Sequence, residues 1–321
     1  MAHFIKKVGI TLGAFFVVII LIGYIYQQIG LRQDSQQIKP PGKLFTINDT
    51  QMHLYCTGSG SPTVVLEAAS GGLGSSWGWV QPEVSKYTRV CSYDRRGRGW
   101  STGDSQNLDL EQVSKDLHAV LWAAQINDRY ILVGHSLGGL YSRKYQERYP
   151  EEVVGLVLID SSHPSQFVTI PELSEKSQSA VKEFNTYALL SQTGLFRFYF
   201  TLGGTLDFST LPDKERQEHA YFWSRSEHFY SMANENAQVE KIYDQAQKLG
   251  SVDPIPVRLI SAADATPEWE RLQNDLFTIS KDSSRITIPD STHMSLLFDK
   301  NHAERVSTVI TTLINNLEEE K

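Results

Sequence analysis

The sequence predicts an α/β fold, with a mostly parallel sheet covered by helices on both faces. Short apolar runs of strand length alternate with segments of helical periodicity along most of the chain, the pattern of repeated βα units. One such run, Tyr130–Val133 (YILV), leads straight into Gly-His-Ser-Leu-Gly and then a helical pattern, the strand–turn–helix order of a nucleophile-bearing turn. The 321 residues are 40% hydrophobic and 21% charged, which excludes disorder and collagen-like repetition. Two cysteines are too few for a disulfide scaffold, and a mean hydropathy of −0.29 excludes a polytopic membrane protein. A net charge of −7 argues against nucleic acid as a partner, since that binding rests on clustered Lys and Arg.

The first element is an apolar helix. Val8–Leu31 is 24 residues without a charge, bounded by Lys7 and Arg32. Its first 19 residues, to Tyr26, would span about 28 Å as a helix, close to the hydrocarbon thickness of a bilayer. The alternative, a cleaved signal peptide, has a shorter apolar core followed by a small-x-small site; GYIYQQIGLRQDSQQ offers none. Lys6 and Lys7 on the short side predict a cytoplasmic amino terminus and an extracytoplasmic remainder. The expected organisation is therefore a cytoplasmic stub (1–7), a single-pass membrane anchor (8–31), a polar linker with a Pro-Pro stop (32–43) and one folded domain (44–317). Residues 32–321 carry 28 basic and 37 acidic side chains, a net of −9.

Within that domain, Thr63–Leu66, Arg89–Tyr93, Tyr130–Val133, Val153–Ile159, Val257–Ile260 and Arg285–Ile288 read as strands. Leu110–Ala124, Leu140–Arg148, Glu268–Ile279 and Ala303–Leu317 read as helices, the second closed by Pro150. Pro164–Gly250 breaks the alternation, being rich in helix formers and aromatics without a buried strand. An insertion there, after a strand's carboxyl end, would lie over the ligand-binding edge of an open α/β sheet as a cap.

Gly134, Ser136 and Gly138 form G-x-S-x-G. A serine forced into so sharp a turn needs neighbours without side chains, because the flanking backbones nearly collide. The turn exposes the hydroxyl above a helix N-terminus, where developing negative charge is stabilised. EAASGGLGSSW (67–77), YTRVCSYDRRGRGWS (87–101), GHSLGG (134–139) and PDSTHM (289–294) occur in that order along the chain, and with these motifs in family order the chain resembles the α/β-hydrolase fold family over residues 44–317. The resemblance implies an eight-stranded, mostly parallel sheet with a helical cap and a serine, histidine and acid acting together.

Ser136 is the expected nucleophile, and His293 the expected base because it follows a strand near the carboxyl end, where the family places it. Two acids satisfy the chain order Ser, acid, His. Asp160 ends the Val153–Ile159 strand, and Asp264 follows the Val257–Ile260 strand. Asp264 falls one residue early against the usual family spacing from Pro256, and Asp160 is preferred. The oxyanion donors are expected to be the Leu137 N–H and an N–H of Ser70 or Gly71, in a loop that has Ala68-Ala69 where the family usually has His-Gly. His135 is read as packing or pocket wall, pointing away from the nucleophile.

Serine in the nucleophile slot argues against the epoxide hydrolases and dehalogenases of this fold, which attack with a carboxylate. The histidines are scattered and no phosphate loop occurs, so no metal and no cofactor are expected. Cys56 and Cys91 fall on strands that the resemblance makes neighbours; they read as two buried thiols, with a cross-strand disulfide as the alternative outside the cytoplasm. Aromatic clusters in the cap (195–202 and 220–230) suit an apolar acyl or aryl group, or contact with a bilayer surface. The expectation is a membrane-anchored serine hydrolase acting on an ester of an apolar small molecule or lipid, with no obligate protein partner. The alternatives are a thioesterase, amidase or acyltransferase of the same fold, or a non-catalytic protein binding a small ligand.

Overall fold

An apolar stretch with no polar face and no early breaker gives one long helix, and the computed structural model, which describes residues 1–204 and 206–319, begins with it. Helix α1 (Ala2–Gln37) is 36 residues long, about 54 Å at the usual rise. Among the described residues it is the helix long and apolar enough to cross a membrane, and its apolar stretch is exposed. Residues 32–37, expected in the linker, continue this helix. Arg32–Gln37 contains no Pro or Gly, Ser35 Oγ bonds the Arg32 carbonyl, and Asp34 pairs with Arg197. The chain breaks out only on approach to Pro40-Pro41.

A hairpin of β1 (Lys43–Ile47) and β2 (Thr50–Thr57) follows, turning at Asn48 with a positive φ of 52°. Next come β3 (Thr63–Glu67), α2 (Val80–Val84), β4 (Val90–Tyr93), α3 (Leu110–Ala123), β5 (Tyr130–His135), α4 (Leu137–Arg148) and β6 (Val153–Ile159). The insertion after β6 is helical: α5 (Gln166–Thr169), α6 (Pro171–Ser191), α7 (Leu195–Thr201), α8 (Asp213–Trp223), α9 (Ser226–Ala237) and α10 (Val239–Ala246). The sheet resumes with β7 (Val257–Ala262), α11 (Pro267–Leu276) and β8 (Ser283–Ile288), and α12 (Ser295–Phe298) and α13 (Lys300–Glu319) close the fold.

The eight strands lie in the order β1-β2-β4-β3-β5-β6-β7-β8. The pairs β1–β2 and β2–β4 are antiparallel and the others parallel. Alternation along the central strands divides the core in two. Val64, Leu66, Ile131, Val133, Val157 and Ile159 face α13, where Val306, Ile310 and Leu313 meet them. Val65, Leu132, Leu156, Leu158 and Leu259 face the opposite side, against Leu117, Val120 and Tyr145. Cys56 and Cys91 are register partners of β2 and β4 and form a disulfide. This corrects the expectation of two buried thiols: antiparallel pairing places the two residues directly opposite, a proximity the sequence alone does not fix.

Candidate active site

Strand β5 ends one residue before Ser136, and α4 starts one residue after it. Ser136 has φ 55° and ψ −124°, a conformation a non-glycine residue holds only where surrounding contacts impose it. Those contacts are visible: the Ser136 N–H donates to Ile159 O at 3.0 Å, and its carbonyl accepts from Ser162 N at 2.9 Å. The glycines are required by space. A Cβ on Gly134 would lie 2.5 Å from Gly138 O, and one on Gly138 2.3 Å from Glu67 O. The Leu137 N–H opens the first turn of α4 beneath the serine.

The carboxyl ends of neighbouring β6 and of β8 supply the partners. Asp160 is buried and accepts from His293 Nδ1 at 2.6 Å, Trp269 Nε1 at 3.0 Å and Ala262 N at 3.3 Å. Burial opposes its ionisation, but the hydrogen bond and charge of His293, with Trp269, hold the carboxyl below its ordinary value. Asp264 is exposed in the turn after β7 and is not the aspartate that meets His293. The geometry thus brings Asp160 and His293 together and leaves Asp264 out.

His135 is buried and lines a cavity, the pocket-wall role expected of it. Burial, with His293 beside it, pushes its pKa down to about 3, so the ring is neutral near pH 7 and Nε2–H donates to the His293 carbonyl at 3.0 Å. The two imidazoles lie 4.6 Å apart, and His135 braces the loop carrying His293.

The loop after β3 departs from expectation at one of its two residues. The Gly71 N–H donates to Glu235 Oε2 at 2.8 Å, and Ser70 Oγ donates to the same oxygen at 2.6 Å. Gly71 is therefore not a free donor, because a buried carboxylate from the cap helix α9 has taken its N–H. The Ser70 N–H has no protein acceptor among the described residues. Arg95 lies behind this loop, donating to Ala68 O at 2.8 Å and Ala69 O at 2.6 Å and pairing with Glu67 and Glu235. Arg98 also pairs with Glu235, at 3.2 Å. Burial would raise the Glu235 pKa, but Arg98 and Arg95 bring it down to about 2. The Asp-Arg-Arg-Gly-Arg run signals the arginines in the sequence, whereas nothing in the pattern of α9 singles out Glu235.

A cavity of about 280 Å³ is lined by His135 and Met294, the chain neighbours of Ser136 and His293, and by the loop after β3. Ala69–Gly72, His135 and Met294 form its floor, and Leu206, Phe208, Trp223 and Met232 of the cap region its apolar walls. His163 is buried and bonds Asp275 at 2.8 Å; His219 lines the cavity. A smaller cavity of about 160 Å³ has His53 and Glu218 among its lining residues.

Known proteins share this arrangement of strands and helices. The uncharacterized protein YbdG of Bacillus subtilis is 26% identical over 196 residues, 60% of this chain and 59% of its own length. The match covers only about half to three-fifths of the curated relatives found first. A thermophilic esterase from Thermogutta terrifontis superposes with a TM-score of 0.61 at 18% identity, over 85% of this chain and 96% of that one. The epoxide hydrolase CorEH does so with a TM-score of 0.62 at 18% identity, over 86% and 98%. Identities this low carry the fold alone. The model of the alpha/beta hydrolase family matches residues 64–308, most of the chain, and with the elbow at Ser136 and the sheet order already described, this chain belongs to the alpha/beta hydrolase family.

Proposed function

We propose that the chain is a serine hydrolase of esterase type, cleaving a carboxylic ester of an apolar small molecule or lipid through an acyl-enzyme. The observation that carries this reading is the Asp160–His293 hydrogen bond beside a serine held at positive φ on the neighbouring strand end. Asp160 accepts a hydrogen bond from His293 Nδ1–H and so fixes the tautomer, which leaves the Nε2 lone pair available to Ser136. Ser136 Oγ attacks the ester carbonyl as His293 accepts its proton. The carbonyl oxygen becomes an oxyanion, held by the N–H groups of Leu137 and Ser70. The tetrahedral adduct expels the alcohol, which leaves with the proton from His293. Water, deprotonated by the same imidazole, then attacks the acyl-enzyme and releases the acid and the serine. Apolar walls favour an acyl or aryl group over a sugar or phosphate.

In the same reading α1 anchors the enzyme in a membrane, with the amino terminus cytoplasmic and the hydrolase domain outside. Lys6 and Lys7 beside the apolar run support that orientation, and so does a disulfide, which persists in oxidising compartments. Hydrolysis of p-nitrophenyl esters from acetate to laurate by the purified full chain tests the activity. Turnover is expected, with Ser136→Ala at least 10³-fold slower; a variant as fast as the wild type would overturn the assignment.

A further inference from the structure

Helix α1 does not leave the domain freely. One stripe of its carboxyl-terminal half, Gly23, Tyr26, Gln27, Gly30 and Asp34, lies against the cap. A Cβ on Gly23 would be 2.2 Å from Thr193 O, and one on Gly30 2.4 Å from Arg197 Nε. Tyr26 Oη meets Thr201 Oγ1 at 3.1 Å, Gln27 Nε2 donates to Ser224 O at 2.7 Å, and Arg197 pairs with Asp34 at 2.6 Å.

These contacts set a depth. An apolar span that begins at Val8 traverses the hydrocarbon in about 20 residues, near Gln27. Gly23 lies one turn, about 6 Å, nearer the bilayer centre, so Thr193 and Gly194, which pack on it, are drawn below the exit point of α1. Around that junction the cap leaves large apolar side chains uncovered. Leu189 is 62% exposed, Leu195 51%, Phe198 53% and Leu202 70%. On the other side of α7, Phe200 packs on Phe208, a wall of the cavity that also holds Leu206 and Trp223.

We infer that the exposed face of α7 and the end of α6 are embedded in the interfacial layer of the bilayer that α1 crosses. Lipid is the occupant of this face, because α1 holds it at the level where the anchor leaves the hydrocarbon, and Leu195, Phe198 and Leu202 recur on one face of α7 at helical spacing. Helix α7 is then the partition between lipid and the cavity beside Ser136. The substrate class is an amphiphilic ester dissolved in the membrane, reaching the serine along α7 rather than from bulk water. This rests on the anchor and serine-hydrolase readings given above.

The test uses the full chain in phosphatidylcholine vesicles. Both native cysteines are in the disulfide, so one introduced cysteine carries a nitrobenzoxadiazole label, read by quenching with doxyl-labelled phosphatidylcholine. Phe198→Cys and Val17→Cys should each be quenched at least twofold, and Trp122→Cys, on α3, should not. Quenching at Val17→Cys without quenching at Phe198→Cys would keep the anchor and overturn the embedded cap, including a cap covered by another protein. No quenching at Val17→Cys would overturn both. In parallel, Leu195→Ser with Phe198→Ser should turn over a vesicle-borne ester at least tenfold more slowly and a water-soluble ester within twofold of wild type. Unchanged turnover of the vesicle-borne ester, or equal loss on both, would overturn the lateral route. Because labelling does not depend on turnover, failure of the hydrolase reading is distinguishable from failure of the membrane contact.

Discussion

Asp160 joins two properties that a single side chain seldom combines. It is buried, and it sits at a positive φ of 40°, which turns its carboxylate off the end of β6 toward His293. Replacing it with Asn keeps the shape but offers an amide to Nδ1 and favours the wrong tautomer. Asp160→Asn should lower kcat by roughly 10³–10⁴-fold, while Asp264→Asn stays within twofold; the reverse order in steady-state kinetics would move the acid to β7. The sequence marked both aspartates by chain order and favoured Asp160 only through the spacing of Asp264 from Pro256, because the pairing itself depends on which strand end faces His293. The fate of the Gly71 amide is hidden from the sequence for a similar reason, since Glu235 reaches it from a helix more than 160 positions away. A second carboxyl of the cap makes the fold sensitive to pH. Burial, and then the charge of Asp94, raise Glu218 to about 7 from an ordinary 4.5. The folded chain therefore holds this proton where the unfolded chain has lost it, so stability falls as pH rises from 4.5 through 7. The shift corresponds to a loss on the order of 3 kcal/mol. Urea unfolding at pH 5 and pH 8 should show a smaller drop for Glu218→Gln than for wild type; equal drops would contradict the assignment.

Among the elements, the central strands were legible because they are apolar on both faces. Strands β3, β5, β6 and β7 begin at the residues that the runs predict. The β1–β2 hairpin was not visible in the pattern of runs. Strand β1 is an edge strand with only partial burial, so its sequence lacks the contrast that marks a core strand. The disulfide secures this weak edge, joining β2 to β4 across 35 residues of sequence, a loop closure worth about 4 kcal/mol in the chain-entropy description. The bridge also reports the compartment. In cells quenched with acid and treated with N-ethylmaleimide, neither Cys56 nor Cys91 should be alkylated unless reductant is added first. Alkylation of both without reductant would place the domain in a reducing compartment and contradict the proposed orientation.

At the scale of the whole molecule, the negative charge and the apolar character are segregated. The first 31 residues hold two lysines and no acid, and the rest carries a net of −9. That division was readable from the sequence, as was a cap between β6 and β7. How α1 meets the cap was not, because Gly23, Gln27 and Gly30 become a contact stripe only when Thr193 and Arg197 are folded against them. The molecule that results places one strained serine under an apolar cap, with an aspartate–histidine pair at the same sheet edge. The central claim is that this serine is the nucleophile. Labelling the full chain with a fluorophosphonate, followed by peptide mass mapping, tests it most directly. A single adduct on Ser136, absent from Ser136→Ala and weakened in Asp160→Asn, is the predicted result; no adduct, or labelling that persists in Ser136→Ala, would contradict it.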